Sequence, residues 1–101
     1  MSMNNIVVIC EDINCGNKLQ ESAKEFNYNI EFEIQNEDTI INEISEKDIK
    51  DASAVLFVIN KGIEEVNEIE RFIDVEYYEV EPCVALENPK QVISEIIADL
   101  D

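Results

Sequence analysis

Two unbroken apolar runs decide most of what this chain can fold into. Ile6-Val7-Val8-Ile9-Cys10 and Ala54-Val55-Leu56-Phe57-Val58-Ile59 are rich in β-branched residues and place no polar side chain to meet water. A strand that is apolar on both faces has to be covered on both. The folds that do this are parallel sheets with helices packed on either side.

The remaining segments supply the other strands and the helices. In "IEFEI", Ile30, Phe32 and Ile34 alternate with acids, which predicts a strand with one wetter face near the sheet edge. "VEYYEV" reads as a further strand. Gly16 punctuates after the first strand, and Asn17 with Gln20 forms a capping box for a helix with Leu19, Ala23 and Phe26 on one side. "QNEDTIINEIS" reads as a loop with a short irregular turn, and Ser45 as the N-cap of a brief helix carrying Ile49. Gly62 turns the chain into a helix with Val66, Ile69 and Phe72 inward. Pro82 and Pro89 bracket a short loop, and Pro89 opens a closing helix striped by Val92, Ile93, Ile96, Ile97 and Leu100. Strands alternating with helices over 101 residues predict one domain, residues 1–101. The expected architecture is a three-layer α/β/α sandwich around a four-stranded parallel sheet, Rossmann-like in kind.

Charge narrows the partners. The chain holds 24 acids against seven bases, a net charge of −17. Nucleic acid and anionic membrane are disfavoured, because both are bound through Lys and Arg. No apolar run approaches the roughly 20 residues of a membrane span, and no basic leader opens the chain. A cytoplasmic protein without membrane insertion is expected. Cys10, Cys15 and Cys83 are odd in number and scattered, so they form no disulfide framework. With no histidine present, neither a metal site nor a cofactor is predicted.

Ligands of parallel sheets bind beyond the strands' carboxyl ends, where the strand order reverses. The first strand ends at Cys10 and the third at Asn60-Lys61-Gly62, so both border one crevice, though Asn60 to Gly62 also reads as a plain turn. Cys10, between a strand and a helix, is therefore the candidate nucleophile. Cys15 and Cys83 read as packing residues. Arg71 reads as a surface or pairing residue, and Tyr77 and Tyr78 point to opposite faces of their strand.

The stretches "EIQN", "EISEKDIKDASAVLFVINKGIEEVNEIERF" and "VEYYEVEPCVALENPKQVI" together resemble the fructose-type enzyme IIB domains of the bacterial sugar phosphotransferase system. The correspondence runs through Ala52 to Ile59, Arg71-Phe72 with Tyr78-Glu79-Val80, and Asn88-Pro89, in the family's order. The resemblance implies a phosphoryl carrier: a cysteine takes the group from enzyme IIA and passes it to a sugar held by the membrane component IIC. On that reading Cys10 is the phosphoryl acceptor of a protein-phosphocysteine sugar phosphotransferase. The segment Glu11 to Gly16 would curl around the phosphate, with Asn14, Gly16, Asn17 and Lys18 donating to it.

The active loop departs from the family's pattern. The family's is small and neutral, of the type C-P-T-G-I-A-H-T, whereas this one reads "CEDINCGN". Matched without a gap, Asp12 falls where the fructose-type cysteine stands. The lactose, cellobiose and galactitol types instead place cysteine directly after the strand, as Cys10 is here. A thiolate near neutral pH needs its pKa of roughly 8.5 lowered. A carboxylate about 7 Å away, at an effective dielectric near 20, disfavours the thiolate by roughly 2 kcal/mol. Lys18 offsets one acid. Two readings therefore stand: a phosphocysteine carrier working with IIA and IIC, and a degenerate IIB-like domain that docks on a protein or regulates it. The pair "CED" also resembles the acid pair of receiver domains, but Asn60 stands where those need an aspartate.

Overall fold

The computed structural model describes residues 4–36, 39–60, 62, 66 and 68–100. The two apolar runs form β1 (Asn4–Cys10) and β4 (Ala54–Val58), parallel neighbours at the centre of the sheet. On the far side of β1 lies β2 (Tyr28–Asn36), also parallel, and beyond β4 lies β5 (Tyr77–Val80). Thr39–Ile41 forms β3, which pairs antiparallel with the end of β2, so the order is β3-β2-β1-β4-β5.

The fold class expected from the sequence is present, with one correction to the strand count. Among the described residues five strands are observed rather than four, because part of the segment read as a loop pairs antiparallel with β2. Three residues are too few to show a strand period, yet Ile41 pairs with Ile34 and Thr39 with Asn36. Asn42 then stops the strand: it adopts a left-handed φ of 59° and donates from its side-chain amide to Phe32 O at 2.8 Å. This pairing moves β2 one place in from the edge.

The period-two alternation of β1 divides its side chains between two cores. Ile6, Val8 and Cys10 face α1 (Ile13–Lys24) and α4 (Pro89–Leu100), through Leu19, Ala23, Val92, Ile93 and Ile96. Val7 and Ile9 face the other way, with Phe57, toward Ile49 of α2 (Glu46–Asp51) and Phe72 of a 3-10 turn (Ile69–Phe72). Ser45 caps α2 as expected, its Oγ accepting from Asp48 N at 3.2 Å. The segment between the prolines is a second correction: Pro82–Glu87 winds into α3, its proline at the helix start where a missing N–H is harmless. Of the helix expected after Gly62, the described part is Val66, buried, and the 3-10 turn; residues 61, 63–65 and 67 lie outside the described residues.

The first helix begins earlier than its glycine suggested. Asp12, not Asn17, is the N-cap, its Oδ1 accepting from Asn14 N at 2.8 Å. Gly16 lies inside α1 and marks a close approach rather than a turn. A Cβ there would come within 2.5 Å of the Phe32 ring on β2. Only a hydrogen at this position lets α1 lie flat on the sheet, with Cys15, Leu19 and Ala23 buried beneath it.

Candidate functional site

The crevice inferred from strand order lies where expected, at the carboxyl ends of β1 and β4, from which the chain leaves to opposite sides. Its contents differ from a phosphate cradle. Glu11, immediately after β1, reaches across the ends of both strands, and its Oε1 accepts from Asn60 N at 3.2 Å. Asp12 then caps α1. With the helix starting at Ile13, the segment from Glu11 to Gly16 is a two-residue connection and a first helical turn, not an extended loop.

Cys10 is closed off. Its side chain is 0% exposed, beneath α1 and against β2, and its Sγ donates to Glu33 O at 3.7 Å. Burial, aided by the neighbouring thiol of Cys15, pushes the Cys10 thiol up to about 12. The backbone N–H groups of Asp12 and Gly16 work the other way without reversing it, and the charge of Asp12 is the smallest contribution. The acids do not dominate the thiol, contrary to what the sequence suggested; burial does. Cys15 is raised for the same first reason and donates to Pro82 O at 3.9 Å. Cys83, at the start of α3, is the exposed thiol.

The residues expected around a phosphate spread along α1. Asn14 stands at the helix start with its backbone N already taken by Asp12. Gly16 is buried against Phe32. Asn17 and Lys18 lie exposed a turn further on, and Lys18 Nζ donates to Leu86 O at 3.3 Å rather than turning back toward Cys10. The hollow at the carboxyl ends of β4 and β5, about 240 Å³, is lined by Ile59, Val80 and two acids, Glu79 and Glu81. That lining repels an anion. Among the described residues no cluster of three His, Cys, Asp or Glu side chains is arranged to hold a metal.

A second polar centre lies below the same strands. Glu33, expected on a wetter face of its strand, is 0% exposed. Arg71 grips it with both arms, Nη1 to Oε1 at 2.7 Å and Nη2 to Oε2 at 2.9 Å. Gln35 Nε2 adds a bond at 2.7 Å and Ile44 N one at 2.9 Å. Nη1 of Arg71 also donates to Ile44 O, and Nε to Glu68 O. Burial pushes the Glu33 carboxyl up, but the Arg71, Gln35 and Ile44 donors outweigh it and hold it below the usual carboxylate range. Of the two readings of Arg71, surface residue or pairing residue, the structure bears out the second. Glu33 was missed, because its alternation with Ile30, Phe32 and Ile34 is also what a half-wet strand shows.

No family model and no curated protein matches the chain. Solved structures do. The chain is similar to the enzyme IIB subunit of a phosphotransferase system from Escherichia coli K12, with 26% identity and a TM-score of 0.79, over 95% of this chain and 92% of that one. A domain of the fructose-specific IIABC component from Borrelia burgdorferi matches at 27% identity and a TM-score of 0.80, over 93% of each chain. A protein known only as uncharacterized matches at 26% identity and a TM-score of 0.81, covering 100% of this chain and 98% of that one. Fructose-type IIB domains are thus structural neighbours of this chain over nearly its whole length, with the same mostly parallel sheet. No described helix is long and apolar enough to cross a membrane.

Proposed function

We propose, from the premise that this chain carries the enzyme IIB fold, that it is a single IIB-like domain over residues 1–101 that docks on a protein partner and does not relay phosphate through Cys10. The observation that carries this reading is the closure of Cys10: a thiol without solvent exposure, beneath a helix whose N-terminus is already occupied by the Asp12 carboxylate. A phosphoryl carrier needs the thiolate near neutral pH and an open set of N–H donors around it. The Glu11–Asn60 bond and the acids lining the neighbouring hollow support the same conclusion. The expected partners are components of a sugar phosphotransferase system, IIA or the cytoplasmic face of IIC, with the domain itself cytoplasmic.

The competing reading keeps Cys10 as phosphoryl acceptor, with Asn14, Gly16, Asn17 and Lys18 holding the phosphate. Alkylation of the folded protein across pH, followed at each cysteine by peptide mass spectrometry, separates the two. On the docking reading Cys83 reacts first, and Cys10 reacts only at strongly alkaline pH or on unfolding. An apparent pKa for Cys10 below its ordinary value would restore the relay.

A further inference from the structure

Two strands away from β1, the sheet of the described residues ends on an open edge. β5 pairs with β4 on one side, and no strand lies against its other side among the described residues. Glu76 O accepts from Val55 N at 2.9 Å, which fixes the alternation of the ladder. Tyr77 and Glu79 therefore turn their backbone N–H and C=O groups outward. Such an edge is a template for another strand unless something covers it.

Both faces beside this edge carry apolar ground. On one, a groove of about 380 Å³ runs between β5 and α4, floored by Leu56, Val80, Val92 and Ile96. That volume lies in the range of pockets that accept a side chain or small ligand. On the other, Ile73 and Tyr77 are 61% and 51% exposed and flank a hollow of about 160 Å³ over Phe57 and Phe72. An added strand points alternate side chains to the two faces, so each face would receive every second residue.

Charge selects the occupant. Glu79, Glu95 and Asp99 stand at the first groove, and from Phe72 to Pro89 the chain contains no Lys or Arg. A second copy of the chain would bring these acids against their own kind, on a protein of net charge −17. We propose that the β5 edge is a strand-addition site for an extended, basic segment of a partner protein, apolar side chains seated in the two grooves and lysines or arginines facing the acidic rim. Strand addition at this edge does not depend on the state of Cys10. Alkylation reads one and the edge experiment the other, so each can fail alone.

The test titrates the ¹⁵N-labelled protein with a blocked peptide of alternating valine pairs and lysine pairs, so that each face of the added strand carries both. Saturable shifts centred on β5, hydrogen-exchange protection of the Tyr77 and Glu79 amides, and loss of binding in high salt are expected. A peptide of the same charge, N-methylated on every second residue so that it cannot complete a ladder, should bind several-fold more weakly. Glu79→Lys, at an exposed strand position, should weaken binding of the unmodified peptide while the spectrum stays folded. Equal binding of the methylated peptide, or shifts scattered over the acidic surface, would reduce the interaction to general charge attraction and overturn the proposal. Self-association through β5 in sedimentation would overturn it in favour of a second copy.

Discussion

Cys10 and Glu33 lie on neighbouring strands, both with no exposed surface, and Cys10 even donates to the Glu33 backbone carbonyl. Their side chains end in opposite states. The thiol faces the core under α1 and stays neutral, raised to about 12 by burial. The carboxyl faces the other way, into a set of donors led by Arg71, and stays charged below the usual range. Equal burial thus gives opposite ionisation, and what differs is the partner. Withdrawing a charge from water costs several kcal/mol unless hydrogen bonds and a counter-charge replace the water. Glu33 has four such donor contacts; Cys10 has two backbone N–H groups and another thiol. A buried group ionises only where its surroundings were built for the charged form, and of these two they were built for Glu33.

Removing the counter-charge is the severest way to break this contrast. Arg71→Ala should cost about 3–5 kcal/mol in urea unfolding at pH 7, because it strands the Glu33 carboxylate in the interior. Replacing both, as Glu33→Met with Arg71→Leu, should recover most of that loss. The wild type should also weaken in acid. A depressed carboxyl contributes stability above its unfolded pKa, near 4.5, and loses it as pH falls through the lower folded value. In Arg71→Ala the deficit should instead shrink in acid, since protonation relieves the stranded charge.

Next in size is the seal over Cys10. Gly16→Ala sets a methyl within 2.5 Å of the Phe32 ring, so α1 must lift from β2. Overpacking of this kind costs about 1–3 kcal/mol, less roughly 1 kcal/mol gained in helix propensity. Unfolding midpoints should fall, Cys10 should alkylate faster, and Phe32→Leu in the same chain should reverse both.

A smaller effect belongs to the thiol itself. Its folded pKa is raised, so its contribution is complete below the unfolded value near 9.0 and is lost as pH rises toward about 12. The stability loss it adds between pH 9 and 10 is about 1 kcal/mol. Cys10→Ala should flatten that alkaline limb and leave the acid limb unchanged. Smallest is Asp12→Ala, which removes the cap of α1 at a cost of roughly 0.5–1 kcal/mol. Since burial outranks the Asp12 charge, the Cys10 alkylation pKa should move down only slightly and stay above its ordinary value. A fall to neutrality in this variant would show that the acid, not the burial, silences the thiol.

The elements legible in the sequence were those whose side chains repeat the demand of their surroundings. Ile6 to Cys10 and Ala54 to Ile59 could only be central strands, and Ser45 could only be useful as a cap. The stripe Val92, Ile93 and Ile96 had to face a sheet. What escaped was shorter than a period or depended on a distant partner. Thr39–Ile41 is three residues long and exists as a strand because β2 stands beside it. Gly16 looked like punctuation because nothing local shows that Phe32 would arrive above it. Glu33 looked wet because Arg71 lies 38 positions away.

The sequence by itself determined the layers, the position of Cys10 at a strand end and the sign of the surface charge, because each follows from side-chain chemistry read along a short stretch. The tertiary structure decided which buried group is ionised, how near α1 comes to the sheet, and that no described strand closes the outer side of β5. Those depend on distances between residues far apart in the chain, and both desolvation and Coulomb energy change steeply over a few ångströms.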